Sequence, residues 1–186
     1  MKKLFALIIL SMSTVVSASE SYTVDARHTF PSFSISHLGF STQRGRFNQT
    51  SGKISLSPEK QTGYVEISIK TDSIDTGLVE LEQHLKTTDF LDAARYPTIT
   101  FVSTKLKFEK EVLTEIDGTL TLHGKTQPVH LKVNHFHCGI NPIALKNVCG
   151  ANAMTSFKRS DFGIDKYVPM ISDDVNVEIQ IEAIKD

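Results

Sequence analysis

The chain has 186 residues and a formal net charge of −1, with 40% hydrophobic and 22% charged residues. This near-neutral balance favours neither nucleic acid nor an anionic membrane surface as a partner. The length suits one domain with a sizeable core.

The first 18 residues have the features of a secretory signal peptide. Lys2 and Lys3 give a positive start, an apolar run follows at residues 4–10, and Ala18 ends a small-residue stretch. The run is shorter than the roughly 20 apolar residues that a membrane span needs, and no later segment comes closer. We therefore expect residues 1–18 to be removed and residues 19–186 to form the mature domain. An uncleaved anchor is the alternative.

Residues 33–40, near the start of the mature chain, form a block in which apolar residues alternate with serines as far as His37. Phe33, Ile35 and His37 should face one side of a strand, with serines on the other side. A histidine on an apolar face is more often a hydrogen-bonded core residue than a catalyst, but one facing a cavity could hold the polar end of an apolar ligand.

Alternating segments recur along the rest of the chain and predict an all-β fold. Eight strands are counted, which is enough to close an antiparallel barrel that is either filled by side chains or holds one ligand. Short turn-like segments at residues 109–111 and 124–126 favour neighbouring hairpins. The predicted strands are the opening block and residues 45–56, 65–70, 98–108, 112–122, 129–136, 150–157 and 175–182.

One segment, residues 76–90, breaks the alternation. Leu78, Leu81 and Leu85 recur at helical spacing with charged residues between them. Thr76 could cap the start. We predict a short amphipathic helix that packs across the barrel or over one end.

Cys138 and Cys149 are the only cysteines in the chain. In an exported protein, an even pair with ten residues between them is most simply a disulfide that closes a small loop, and Asn141-Pro142 supplies a turn signal within it. A metal pair or a redox dithiol is the competing interpretation.

His135 and His137 would share one face of a strand, a spacing that can chelate zinc or copper. The sequence supplies no adjacent third ligand and no nucleophile or phosphate-binding motif. A metal-handling protein or an enzyme using this pair remains an alternative, because a triad can be assembled in space.

Several motifs, in order along the chain, resemble the YceI-like family. They are residues 33–40, 44–47 and 51–54, then 84–92, 96–104, 113–126 and 157–164, and the resemblance runs from about Tyr22 to Ile184. This likeness implies an elongated, lipocalin-like antiparallel barrel with a tunnel for a polyisoprenoid, quinone-like or fatty-acyl chain. Together with the signal peptide it points to a bacterial periplasm. The resemblance does not make the protein an enzyme, and we expect neither catalysis nor a cofactor.

The resemblance and the chain's many phenylalanines together suggest where such a ligand would lie. For any one phenylalanine, ordinary core packing is the simpler explanation. We expect the cavity to be formed by Phe33, Ile35, His37, Phe40, Phe90, Phe101, Phe157 and Phe162.

A phosphorylated ligand would also need cations at the barrel mouth, because a bare anion beside an apolar cavity is costly. The candidates are Arg46 and Arg159, with their neighbours Arg44 and Lys158. The alternatives are solvated or acid-paired loop charges. A stress-protective module with neither lipid nor metal is a third possible function.

Overall fold

The computed structural model describes residues 19–186, so the predicted signal peptide lies outside the described residues. This part of the chain folds into eleven strands and one α-helix, α1 (Val79–Leu85). The strands are β1 (Glu20–Val24), β2 (Phe30–His37), β3 (Ser41–Phe47), β4 (Thr50–Ser57), β5 (Thr62–Lys70), β6 (Ile74–Asp75), β7 (Thr98–Glu109), β8 (Val112–Leu122), β9 (Lys125–Asn141), β10 (Lys146–Lys158) and β11 (Asp174–Lys185).

Eight of these strands close an antiparallel barrel, in the order β1–β4–β5–β7–β8–β9–β10–β11, with β11 pairing back to β1. The prediction of an eight-stranded antiparallel barrel with one short helix is confirmed. The alternation of apolar and polar residues explains the closure, because it gives each long strand one face for the interior and one for solvent.

The remaining three strands lengthen the wall at one end. The last residues of β11, from Ala183 onward, pair with β1. An earlier part of β11, from Asn176 to Gln180, pairs with β2. β2 then pairs with β3, and β3 with β6. The opening block thus lies outside the closed ring of eight and extends its wall.

Two predicted elements have different bounds in the structure. Residues 45–56 were expected as one strand, but the chain turns at Asn48, whose side chain donates a hydrogen bond to Asp75 at 2.9 Å. β3 and β4 therefore have different neighbours. The helix begins at Val79 rather than near Thr76, because Gly77 has a φ of 75°, outside the helical region.

Cys138 and Cys149 form a disulfide, as predicted. They are directly opposite each other in the β9–β10 pairing, and both strands continue beyond them to Asn141 and Lys146. The segment between the cysteines is therefore mostly a hairpin, and only residues 142–145 form its turn.

The strand directions define two ends of the barrel. The α1 end carries the helix, the β2–β3 turn and the segment between β10 and β11. The hairpin end carries the β9–β10 turn and the β7–β8 turn. Among the described residues, no helix is long and apolar enough to cross a membrane.

Candidate functional site

The inward faces of the strands surround a cavity of about 660 Å³. Its wall is almost entirely apolar and draws on β2, β4, β5, β7, β8, β9, β10 and β11, with α1 near one end. Small-molecule sites in proteins typically have volumes of about 300–1,000 Å³. The barrel therefore encloses space for a ligand of ordinary size.

Small residues on the inner face of β10 help to keep this space open. Ala151 and Ala153 border the cavity where a larger aliphatic residue would project into it. Inward-facing apolar residues on other strands, such as Leu120 and Phe136, remain only half-buried because they face the unfilled interior. The core is thus a packed wall around a void.

Two glycines leave room for aromatic rings beside the backbone of that wall. A Cβ at Gly45 would approach the Phe33 ring to 2.5 Å, and one at Gly118 would approach the Phe101 ring to 2.4 Å. Real Cβ atoms essentially never come this close to another heavy atom. The rings occupy the space that the missing side chains leave, so they add apolar surface without filling the lumen.

The cavity opens at the α1 end. Lining residues toward the hairpin end, including Val65 and Leu113, are buried. At the α1 end, the lining residues Leu78 and Tyr167 are 53% and 44% exposed. This geometry is that of a deep apolar pocket with a mouth beside the helix.

Polar side chains are concentrated around the mouth. His37 is the last residue of β2, where its backbone bridges to Ile171, and Gln43 and Arg44 follow on β3. Within residues 19–186, neither the His37 imidazole nor the Arg44 guanidinium forms a hydrogen bond or an ion pair with the protein. Both groups can therefore contact a polar group located at the opening.

Seven of the ten predicted ligand-binding residues border this cavity. Phe33, Ile35 and His37 share the inner face of β2, as the alternation predicted. The other four come from separate parts of the chain and are Phe90, Phe101, Phe157 and Arg159.

Arg159 borders the cavity, but its guanidinium is already occupied. Only 5% of the residue is exposed. Nε donates to the Ser172 carbonyl at 2.9 Å, Nη1 to the Ile164 carbonyl at 3.0 Å and Nη2 to the Ile171 carbonyl at 3.1 Å. Burial lowers the pKa of this guanidinium, against the opposing effect of Asp173. This geometry corrects the expectation of an available phosphate-binding cation: Arg159 holds the segment between β10 and β11 in place.

Phe40 does not border the cavity. It follows Leu38 and Gly39, which have φ values of 55° and 75°, in the turn between β2 and β3. This turn ends the period-two alternation, so the expected position on the inner face is wrong. Phe40 is 90% exposed.

Arg46 and Phe162 also lie away from the cavity lining. Arg46 is on the outer face of β3, 3.8 Å from the Asp75 carboxylate and stacked over the Phe30 ring at 4.7 Å. Phe162 is only 1% exposed and packs edge-on against Phe157 at 5.1 Å. It belongs to the buried core next to that cavity-lining ring. Arg46 pairs in register with Ser32, on the face of the sheet opposite to Phe33, and Phe162 lies in a short turn after β10 where the strand alternation no longer applies.

Lys158 and Arg44, the other two cations considered for an anionic head group, differ in whether an acidic side chain lies beside them. The Lys158 ammonium lies 3.7 Å from the Asp173 carboxylate and 3.6 Å from that of Asp174. Arg44 has no such acid partner among the described residues and borders the mouth. It pairs in register with Ser34, on the same face of β3 as Arg46, so it reaches the mouth from the outer side of the sheet and, unlike the other three predicted cations, has no protein partner there within residues 19–186.

Several lining residues were not among the sequence-based candidates. Phe136 could have been found from the alternation of the predicted strand 129–136, and Leu81 and Leu85 from the apolar face of the helix. Tyr167 and Ile171 lie in an irregular segment, where no periodicity indicates which side chains face inward.

His135 and His137 lie on the solvent-exposed face of β9. Over residues 19–186, no group of three or more histidine, cysteine, aspartate or glutamate side chains is arranged to hold a metal ion. Cys138, beside His137, is in the disulfide and is not a thiolate ligand.

Comparison with known proteins places this barrel in a family. The YceI-like domain matches residues 22–183. The chain is 36% identical over 179 residues to a UPF0312 protein of Shewanella denitrificans, covering 95% of this chain and 93% of that protein. It is 33% identical over 182 residues to protein YceI of Escherichia coli O157:H7, with 97% and 94% covered.

A solved structure has the same fold. A polyisoprenoid binding domain from Saccharophagus degradans superposes with a TM-score of 0.66 at 17% identity, over 90% of this chain and 99% of that one. At this identity the match concerns the fold alone. From the domain match and the two relatives, the chain belongs to the YceI-like family.

Proposed function

We propose that this protein is an exported, periplasmic binding protein that sequesters or transports a polyisoprenoid, a quinone-like lipid or another long-chain amphiphile. The mature domain is residues 19–186, after removal of residues 1–18 as a signal peptide. The observation that carries the proposal is the apolar cavity of about 660 Å³, open at one end. The function is binding rather than catalysis.

The energetics of the cavity support a lipid ligand. Burying about 400 Å² of apolar ligand surface at ~25 cal/mol/Å² contributes on the order of 10 kcal/mol before the costs of association. Micromolar affinity corresponds to roughly 8 kcal/mol, so this contribution is sufficient. The barrel is also long enough, because the eleven residues of β8 span about 37 Å along the strand before tilt.

The similarity to a polyisoprenoid binding domain favours an isoprenoid among these ligands. In the proposed complex, the chain lies along the inner wall formed by Phe33, Phe101 and Phe157. The polar head remains at the mouth, where His37 and Arg44 are available to contact it. This orientation keeps a charged head group of the ligand out of the apolar interior.

The head-group contact can be tested with two ligands of equal chain length. Arg44→Ala should weaken binding of a prenyl pyrophosphate more than binding of the matching prenyl alcohol, because only the first offers phosphate oxygens to the guanidinium. Arg46→Ala is the control, since Arg46 pairs with Asp75. Equal losses for both ligands in the Arg44 variant would indicate a neutral head, with His37 as the better candidate contact.

The direct test of the function is native mass spectrometry, with lipid extraction, of protein purified from the periplasm. We expect an adduct of lipid mass in the unmodified protein. Ala151→Phe places a ring in the lumen and should reduce the adduct, whereas Asn152→Phe changes the neighbouring outward-facing residue and should not. A protein that is empty and also fails to take up prenyl or acyl probes would refute the proposal.

A further inference from the structure

The mouth of the cavity is surrounded by exposed apolar side chains, which we call the apolar rim. Its members come from three segments, the β2–β3 turn, the start of α1 and the segment before Ile171. They are between 44% and 90% exposed and are Leu38, Phe40, Leu78, Val79, Tyr167 and Met170.

Two of these segments are held together by the backbone. The Leu38 amide donates to the Met170 carbonyl at 3.1 Å, and His37 bridges to Ile171. From the third segment, Leu78 borders the cavity, as does Tyr167, whose ring lies 6.2 Å from that of Phe90. The rim is therefore continuous with the apolar wall of the cavity.

The charges near the rim have mixed signs. Lys166, beside Tyr167, lies 3.2 Å from the Asp89 carboxylate, and Glu80 follows Val79. Arg44 lies at the mouth. Without Lys2 and Lys3, which the proposed cleavage removes, the net charge is −3, so the protein has no overall attraction to an anionic surface. Contact through the rim must depend on burial of its apolar side chains.

We propose that the apolar rim inserts into the surface of a lipid bilayer and that the ligand's chain passes between bilayer and cavity there. This inference rests on the proposed lipid-binding function. Large apolar groups at a protein surface commonly mark contact with a protein or a membrane. A bilayer is the occupant that fits here, because a lipid chain crossing the rim stays in contact with apolar surface instead of entering water.

The chain contains no tryptophan, which allows a direct test by fluorescence. Phe40→Trp places a single emitter on the rim. Ile143→Trp is the matched control, because Ile143 is 93% exposed in the β9–β10 turn at the opposite end of the barrel. Each variant is mixed with vesicles of phosphatidylethanolamine and phosphatidylglycerol, three to one, and with vesicles of phosphatidylcholine.

We expect the Phe40→Trp emission to shift to shorter wavelengths with both vesicles and to be quenched by brominated acyl chains. Added salt should leave this shift largely unchanged, since the contact is apolar. The Ile143→Trp emission should not move. No shift for Phe40→Trp, or a shift only for Ile143→Trp, would overturn the inference.

A second variant separates this inference from the function on which it rests. Phe40→Ser should lower partitioning onto vesicles, and the rate of prenol transfer from them, by about tenfold. It should leave loading from prenol supplied without vesicles unchanged, because Phe40 does not border the cavity. If the unmodified protein fails to load under those conditions, the lipid-binding function itself is refuted. Normal loading with equal vesicle transfer in both proteins would refute only the role of the rim.

Discussion

Replacing Arg159 with alanine should destabilise the fold rather than only weaken the binding of a ligand. The substitution removes three hydrogen bonds from one guanidinium to the carbonyls of Ile164, Ile171 and Ser172. A buried acceptor left without a donor costs about 1–3 kcal/mol. Since water can reach some of these carbonyls in the variant, we expect a total loss of about 3–5 kcal/mol in the free energy of unfolding.

Arg159→Lys provides a graded version of the same change. An ammonium group keeps the charge, but it cannot reproduce the planar fork that reaches three separate carbonyls. The variant should therefore lose about half as much stability as Arg159→Ala. Arg44→Ala is the control, because an exposed arginine without a protein partner usually changes stability by no more than about 0.5 kcal/mol.

The assay is urea denaturation followed by circular dichroism, combined with titrations of prenyl alcohol and prenyl pyrophosphate under folding conditions. A loss below about 1 kcal/mol for Arg159→Ala, with a selective loss of pyrophosphate affinity, would contradict the structural role. In that case Arg159 would be a head-group contact.

Three other predictions concern packing, the disulfide and alkaline pH. Gly118→Val should cost about 1–3 kcal/mol in urea denaturation and weaken prenol binding, because its Cβ would displace the Phe101 ring toward the lumen; unchanged binding would contradict this. Replacing Cys138 and Cys149 with serine should cost about 2–3 kcal/mol by the same assay, and equal stability would contradict a clamping role. Burial and a hydrogen bond to Glu20 raise the pKa of Tyr22 to about 12 from its ordinary value of 10. The protonated phenol therefore contributes its full stabilisation below pH 10, and this stabilisation is lost as the pH rises toward 12. If the free energy of unfolding of Tyr22→Phe falls equally over this pH range, the prediction is refuted.

The sequence pattern was sufficient for the barrel because alternation is a local property of each strand. It gave the inner face of β2 correctly for Phe33, Ile35 and His37. It failed at Phe40, where two residues with positive φ reverse the chain. It also joined β3 to β4, because the turn at Asn48 is stabilised by Asp75, a residue distant in sequence.

The cavity could not be separated from an ordinary core by composition alone. Phenylalanine is abundant in both, and the difference depends on what lies opposite each ring. Gly118 accommodates Phe101, and Ala151 leaves the lumen unfilled. The role of Arg159 was also inaccessible, since its three acceptors are backbone carbonyls in an irregular segment that has no periodic signal.

The most direct test of the central claim is the affinity of the mature protein for prenyl alcohols of increasing chain length, measured by calorimetry. Each five-carbon unit that enters the apolar cavity should strengthen binding by about tenfold or more, at ~0.8 kcal/mol per buried CH₂ less the cost of ordering the chain. The gain should stop once the cavity of about 660 Å³ is full. Affinity that does not depend on chain length would show that the barrel interior does not hold the lipid chain.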